Sequence, residues 1–224
     1  MTLAVIDSGT LITISSTCLI NVFKKFVKFN NLKLIVSSEV TDESVWRPIH
    51  NKRFALNAAR IKFLFNSDII DVVTATKEVR YVEEKILNLA NNCFNTDFGP
   101  LTIIQNGEAE ALALAKINNA KALFVDERTT RSLLEDPLRL KQVLEKRQHH
   151  PLTINEKNVH ELQEMFSELK IFRSIDLIAF AYEQGLFEGE LENGKLELEA
   201  ALYAAKFSGC AVSESEIEEY LNKN

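Results

Sequence analysis

Short apolar runs recur along the chain, and they predict the strands of a sheet. The first run is Leu3 to Ile6, and it stops abruptly at Asp7. Continuous apolar runs of this kind are typical of central parallel strands that are covered on both faces. The same pattern predicts further strands at 32–37, 69–73, 121–125 and 171–173.

Apolar residues at helical spacing fill most of the sequence between these runs. The spacing predicts helices at 11–29, 52–66, 77–92, 108–117, 176–184, 195–208 and 213–222. We expect Ser38 to cap a helix after the second strand, and Gly209 to follow the end of another helix. Residues 91–107 carry Asn, Gly and Pro and predict a loop that can include a short strand. The charged stretch 131–169, which two prolines interrupt, predicts an inserted helical hairpin.

This alternation of strands and helices predicts an α/β fold built on a parallel sheet. The 224 residues suffice for one α/β domain with insertions, or for one domain with a small helical appendage. The formal net charge is −6, so no overall basic field attracts nucleic acid. Any contact with RNA therefore has to come from a local basic patch.

The cysteines and the N-terminus indicate a compartment. Cys18, Cys93 and Cys210 have no CxxC spacing, and their odd number rules out a fully paired disulfide framework. They predict free thiols in a reducing compartment. The apolar N-terminus is interrupted at Asp7 and lacks a basic region and a cleavage site, so it predicts neither a signal peptide nor a membrane span. We expect a cytoplasmic protein that does not associate with membranes.

Acidic residues stand where the elements of such a sheet begin and end. Asp7 ends the first strand, and Asp126 ends a strand more than a hundred residues later. In an open parallel sheet, ligands bind in the crevice beyond the carboxyl ends of the strands, and the following helices start at the same edge. Glu43 belongs to the helix after the second strand, and Glu108 and Glu110 open an Ala-rich helix. These acids are therefore expected to converge on one pocket.

Carboxylates that share a pocket repel each other and raise one another's pKa unless a cation neutralises them. Mg²⁺ or Mn²⁺ is the expected cofactor, because carboxylate oxygens and water are the ligands of such hard ions. No His or Cys stands with these acids at zinc-ligand spacing. Structural alternatives remain at each position. Asp7 is also a good N-cap, and Glu108 and Glu110 favour the helix dipole and do not face the same way, so only one is expected to enter the site.

Several segments together resemble the motif series of PIN domains. They are AVIDSGTLI (4–12), VTDESV (40–45), NGEAEALALA (106–115), ALFVDERTTR (122–131), IDLIAFAYEQGL (175–186) and AALYAAKFSGCAVSESEIEEYL (200–221). The closest likeness is to the PIN subgroup whose central helix reads GEAEA. The resemblance covers most of 1–46, 100–131 and 171–222. The intervening segments, about 51–95 and 132–170, look like helical insertions into one domain spanning 1–224.

The resemblance implies a three-layer α/β/α sandwich and divalent-metal-dependent cleavage of RNA, expected to be single-stranded. The catalytic acids would be Asp7, Glu43, Glu108 or Glu110, and Asp126 or Glu127, with Asp7, Glu108 and Asp126 as metal ligands. Ser8 and Thr10 would line the site. Many PIN proteins are toxins held by an antitoxin, so the resemblance also allows an antitoxin-like partner, although those toxins are usually much shorter. Apolar faces on the inserted helices would suit a homodimer.

Arg128 and Arg131 are candidates for binding phosphate by bidentate hydrogen bonds. Asp176 is a further acid, for which capping is the simpler role. Trp46 either stacks on a base or belongs to the core, and the lysines at 24, 25 and 28 are typical of a solvated helix face.

Two other functions compete with ribonuclease activity. Phosphatase chemistry of the haloacid dehalogenase type needs a nucleophilic Asp two residues before a general-acid Asp. Val5 occupies the nucleophile position here and Ser8 follows Asp7, so that pair is missing. The second alternative is a catalytically inactive PIN-like module that binds protein or RNA, because a fold does not guarantee an activity.

Overall fold

A computed structural model describes residues 1–223 of the chain. Its eight strands are β1 (Thr2–Ile6), β2 (Leu32–Ser37), β3 (Ile70–Val73), β4 (Phe94–Thr96), β5 (Gly99–Pro100), β6 (Ala122–Phe124), β7 (Thr153–Ile154) and β8 (Lys170–Phe172). Five of them form a central sheet in the order β3-β2-β1-β6-β8, and every pairing in it is parallel. The expected α/β class and the parallel sheet are confirmed.

Helices account for most of the remaining chain. They are α1 (Ser8–Ser16), α2 (Ile20–Phe29), α3 (Ser38–Thr41), α4 (Ala55–Phe65), α5 (Lys77–Ala90), α6 (Asn106–Ile117), α7 (Arg128–Glu135), α8 (Pro137–Gln148), α9 (Glu156–Met165), α10 (Ser174–Glu183), α11 (Lys195–Phe207) and α12 (Glu214–Lys223). A π-helical turn (Asp42–Trp46) and a 3-10 turn (Pro48–His50) connect α3 to the segment before α4. No helix within residues 1–223 is both long and apolar enough to cross a bilayer.

Two apolar cores lie on opposite faces of the central sheet. Along β1, Ala4 and Ile6 pack into one core while Val5 packs into the other, as the alternation of side chains in a strand requires. The first core is completed by α1, α2, α4, α10, α11 and α12, and the second by α5 to α9. Helix, sheet and helix therefore form the three layers of an α/β/α sandwich.

Most predicted elements are present, and two details of the prediction are wrong. The predicted helix at 11–29 is two helices, because the chain turns between them at Cys18, whose φ is 60°. The cap of α3 is Ser37 rather than Ser38, since the Ser37 hydroxyl accepts a hydrogen bond from the Val40 amide at 3.2 Å. The predicted strand at 32–37 has the bounds of β2.

The two segments taken as insertions differ in how they join the sandwich. The segment 51–95 contributes β3, which pairs with β2 at one edge of the central sheet. The segment 132–170 contributes α8, α9 and β7, and β7 joins β4 and β5 in a small antiparallel sheet. The first segment is therefore integral to the main sheet, whereas the second extends the layer that contains α5 and α6.

Candidate carboxylate site

Two acids meet at the carboxyl ends of neighbouring strands. Asp7 directly follows β1, and its amide donates a hydrogen bond to the Phe124 carbonyl of β6 at 3.0 Å. Asp126 follows two residues after that carbonyl. Gly9 lies between the acids: a Cβ at Gly9 would stand 3.3 Å from Asp7 Oδ2 and 3.9 Å from Asp126 Cβ. The expectation that Asp7 and Asp126 share one edge of the sheet is confirmed.

Asp7 caps α1, and its carboxyl group has a raised pKa. Its carboxylate accepts a hydrogen bond from the Gly9 amide at 3.2 Å, so the capping role is real. The pKa of Asp7 is nevertheless raised from 3.8 to about 6, mainly by burial and with smaller contributions from the charges of Glu108 and Glu43, against the lowering by the Gly9 and Ser8 amides. Asp7 therefore caps α1 and also lies within electrostatic range of two further carboxylates.

Glu43 approaches Asp7 from the π-helical turn that follows α3. Its side chain is exposed, and the Ser8 hydroxyl donates a hydrogen bond to Glu43 Oε2 at 3.3 Å. Among the rival acids of this segment, Glu39 instead forms an ion pair with Arg80 on α5. The bond between Ser8 and Glu43 therefore ties the start of α1 to the turn after β2. Glu43 is the acid of the segment whose charge acts on Asp7.

The two candidates on α6 have separate environments. Glu108, in the first turn, accepts a hydrogen bond from the Gln105 amide at 2.9 Å and lies near enough to raise the pKa of Asp7. Glu110 is 1% exposed; it accepts a hydrogen bond from the Ser37 hydroxyl at 2.6 Å and faces Arg80 Nη1 at 3.3 Å. The structure thus places Glu108 within electrostatic range of Asp7, and Glu110 in a buried cluster with Arg80.

Asp126 is held by the start of α10. Its Oδ1 accepts the Ser174 amide at 2.7 Å and its Oδ2 accepts the Ser174 hydroxyl at 2.8 Å, which fixes a carboxyl group that is only 4% exposed. Glu127, the alternative strand-end acid, instead caps α7 by accepting the Thr129 amide at 3.2 Å. The sequence carried no signal for Ser174, because a serine at a helix start is common and its partner is 48 residues away.

The four residues predicted to bind substrate have different surroundings: Ser8 bonds an acid, Thr10 is buried, and both arginines form ion pairs. Ser8 bonds Glu43 as described. Thr10 is fully buried and its hydroxyl has no hydrogen-bond partner among residues 1–223, so this hydroxyl does not reach solvent. Arg128 pairs with Glu216 at 3.4 Å. Arg131 pairs with Glu135 at 2.7 Å and approaches Asp176 at 3.8 Å.

A second charged cluster, which the sequence does not predict, adjoins these arginines. Arg173 is 4% exposed and binds Glu216 at 2.9 Å and the Ala211 carbonyl at 3.1 Å. Asp176 accepts the Arg173 amide at 2.7 Å and the Tyr220 hydroxyl. Asp176 therefore links α10 to α12 in addition to capping its own helix.

The charges around Asp7 are not balanced by cationic side chains. Within residues 1–223, neither Asp7, Glu43 nor Glu108 forms an ion pair with a Lys, Arg or His. Glu110 and Asp176, by contrast, each face an arginine. In the same part of the chain no three His, Cys, Asp or Glu side chains lie close enough together to hold one metal ion as they stand.

The donor set nevertheless has the chemistry of a hard divalent cation. We define the three acids Asp7, Glu43 and Glu108 as the acidic trio. The trio offers carboxylate oxygens from three separate elements, which is the ligand type of Mg²⁺ and Mn²⁺. Without a cation, such carboxylates repel one another and stay apart. A divalent cation between them attracts each carboxylate and outweighs this repulsion. The residues therefore fit a Mg²⁺ or Mn²⁺ ion in type and charge.

Comparison with known proteins leaves the family open. No protein-family model, no curated protein and no solved structure matches the chain. The resemblance to PIN domains therefore stays a prediction that rests on the motifs themselves.

Proposed function

We propose that the chain is a divalent-metal-dependent ribonuclease of the PIN type, which hydrolyses phosphodiester bonds at the acidic trio with Asp126 beside it. One arrangement carries the proposal: Asp7 and Asp126 follow neighbouring parallel strands at one edge of the sheet. Burial raises the pKa of Asp7 to about 6, and Glu43 and Glu108 act on Asp7 without a balancing cationic side chain in the described chain. Perturbed carboxylates at the switch point of a parallel sheet are characteristic of functional sites.

The residues of the site have distinct roles in this proposal. Asp7, Glu43 and Glu108 would hold Mg²⁺ or Mn²⁺, and a bound ion activates water and stabilises the departing oxygen. Ser8 restrains the exposed Glu43 through its hydroxyl. Gly9 lets α1 begin directly against Asp7, since a Cβ there would already press on the carboxylate at 3.3 Å. Ser174 fixes the orientation of Asp126.

The pKa of Asp7 sets a pH dependence for this function. Below a pH of about 6 the Asp7 carboxyl carries a proton, which competes with a cation for the same oxygens. Cleavage is therefore expected to rise with pH through the region around 6 and to level off above it.

The test is cleavage of a labelled single-stranded RNA in Mn²⁺, followed on a gel. The parent protein should cut the RNA, and the Asp7→Asn and Glu108→Gln variants should each lose at least about 100-fold in rate. Asp97→Asn is the matched control, because Asp97 is exposed and lies outside the trio. Equal cleavage by all four preparations would assign the activity to a contaminant. No cleavage by the parent would favour the inactive binding module.

A further inference from the structure

The segment between the π-helical turn and the end of α4 has an unusual charge pattern. Residues 44–67 contain five of the chain's 26 Lys and Arg residues and none of its 32 Asp and Glu residues. None of those five basic side chains forms an ion pair within residues 1–223. The segment is thus a local positive surface on a chain whose net charge is −6. It begins next to Glu43 of the acidic trio.

Aromatic rings are exposed on the same surface, and each has a cation beside it. Trp46 is 50% exposed with Lys62 Nζ 5.0 Å from its ring centre, and Phe63 is 59% exposed with Lys24 Nζ at 4.4 Å. Phe54 is 45% exposed, with the Arg53 guanidinium at 5.4 Å. We define the basic aromatic surface by these three pairs: Trp46 and Lys62, Phe63 and Lys24, Phe54 and Arg53.

The geometry of α4 sets the part of this surface that the helix contributes. At about 100° per residue, Leu56 and Phe63 lie on one line along the helix, while Lys62 and Arg60 flank that line on either side. Ile61 on the opposite side is fully buried in the core. The outer side of α4 is therefore an apolar and aromatic stripe with one basic residue on each side, of which Arg60 also donates a hydrogen bond to the Ser15 carbonyl at 3.1 Å.

We infer that the basic aromatic surface binds single-stranded nucleic acid and leads it toward the acidic trio. Exposed rings can stack on unpaired bases, and Lys and Arg side chains outside ion pairs neutralise the backbone phosphates, which is the combination that single-strand-binding proteins use. A duplex would offer its phosphates but would hide the faces of its bases from Trp46 and Phe63. The direction toward the trio rests on the proposed function, whereas the binding itself does not.

Binding without cleavage tests the inference separately from the nuclease. A fluorescein-labelled uridine oligomer of roughly 12 nucleotides is titrated in EDTA, and its anisotropy is followed. Trp46→Ala and Phe63→Ala should each weaken binding by about 5-fold or more, as removal of a stacking platform predicts. Phe207→Ala is the matched control, because Phe207 is 80% exposed and has Lys206 at 5.9 Å from its ring, yet it lies on α11.

The charge component has its own readout in the salt dependence. In a titration from about 50 to 200 mM salt, the double variant Lys24→Ala with Lys62→Ala should flatten the slope of log affinity against log salt by about 1.4, or ~0.7 for each phosphate that is no longer neutralised. Lys157→Ala with Lys195→Ala removes the same charge from exposed positions on α9 and α11, and it should leave the slope unchanged.

Each outcome decides between distinct interpretations. Weak binding by the surface variants but not by the controls supports the inference. The inference is overturned if the parent does not bind the oligomer, or if surface and control variants bind alike. A parent that forms dimers dispersed by Phe63→Ala, and that does not bind RNA, would assign the surface to self-association instead. Binding in EDTA combined with no cleavage in Mn²⁺ would reject the nuclease and keep the surface.

Discussion

Replacing Arg80 by Met should destabilise the protein in a pH-dependent way. Arg80 Nη1 lies 2.8 Å from Glu83 and 3.3 Å from Glu110, and its other terminal nitrogen contacts Glu39. The side chains of Glu83 and Glu110 are only 8% and 1% exposed. In the Arg80→Met variant these two buried carboxylates face each other without the guanidinium that separates and neutralises them in the parent.

The size of the effect follows from the burial of the partners. Breaking a buried ion pair by removing one member costs roughly 3 to 5 kcal/mol, since the remaining charge is desolvated and uncompensated. The Arg80 side chain is 42% exposed, so water already weakens the interaction. We therefore expect a loss of about 2 to 3 kcal/mol at pH 8, which lowers the Tm of a domain of this size by about 4 to 12 °C.

The pH dependence has a definite sign. Burial already raises the pKa of Glu110 above its ordinary value of 4.5, and the loss of Arg80 raises it further. An acid with a raised pKa in the folded state binds more protons there than in the unfolded state, so the free energy of unfolding falls as pH rises above 4.5. The difference between parent and Arg80→Met should thus be small near pH 4.5 and largest at pH 8.

Thermal and urea denaturation at the two pH values provide the measurement. Arg139→Met is the matched control, because Arg139 is exposed on α8 and makes no ion pair within residues 1–223; it should change stability by less than about 0.5 kcal/mol. Adding Glu110→Gln to Arg80→Met should restore more than half of the loss, since Gln keeps the acceptor for Ser37. An equal loss at both pH values, or additive losses in the double variant, would refute this electrostatic explanation.

Three further predictions concern the site. Asp7→Asn should raise the free energy of unfolding by about 1 to 3 kcal/mol at pH 7.5 and by almost nothing near pH 3.5. The reason is that the variant removes a carboxylate whose pKa is raised to about 6, while Asn is still a good N-cap. Urea denaturation at both pH values checks this. Asp126→Ala should lower the free energy of unfolding by about 2 to 3 kcal/mol, because it leaves the buried Ser174 amide without its acceptor. Ser174→Ala removes only the hydrogen bond of the hydroxyl and should lower it by about 1 kcal/mol. Both losses are read from denaturation midpoints. Gly9→Ala should slow cleavage of RNA with only a small fall in Tm, because the added Cβ presses on Asp7 Oδ2 at 3.3 Å. A fall in Tm without a fall in the cleavage rate would argue against this.

The sequence predicts the sheet well because strand burial is a local pattern. The apolar residues of β2 suffice to predict that strand without any knowledge of its neighbours. Asp7 and Asp126 each come directly after such an apolar run, so their position at the end of a strand is predicted in the same way. The helix predicted at 11–29 is wrong for the opposite reason: apolar spacing continues through the turn, while the left-handed conformation of Cys18 depends on how α1 and α2 pack.

The choice between Glu108 and Glu110 needs tertiary contacts. Their spacing predicts that they face different ways, but which one turns inward depends on Arg80 and Ser37, which lie on other elements. The same holds for Asp126, whose partner Ser174 comes from the start of α10. The basic aromatic surface is visible in the sequence only as a run of basic residues; the exposure of its rings is a property of the fold.

Thermal denaturation with and without Mn²⁺ tests the central claim most directly, which is that the acidic trio shares one divalent ion. A ligand at about 100 times its Kd stabilises the folded state by roughly 2.7 kcal/mol, which corresponds to a Tm increase of about 5 to 11 °C here. We predict such an increase for the parent at pH 8, a smaller one at pH 5 where Asp7 is protonated, and none for Asp7→Asn with Glu108→Gln. An unchanged Tm of the parent in millimolar Mn²⁺, or an equal increase in the double variant, would contradict the claim.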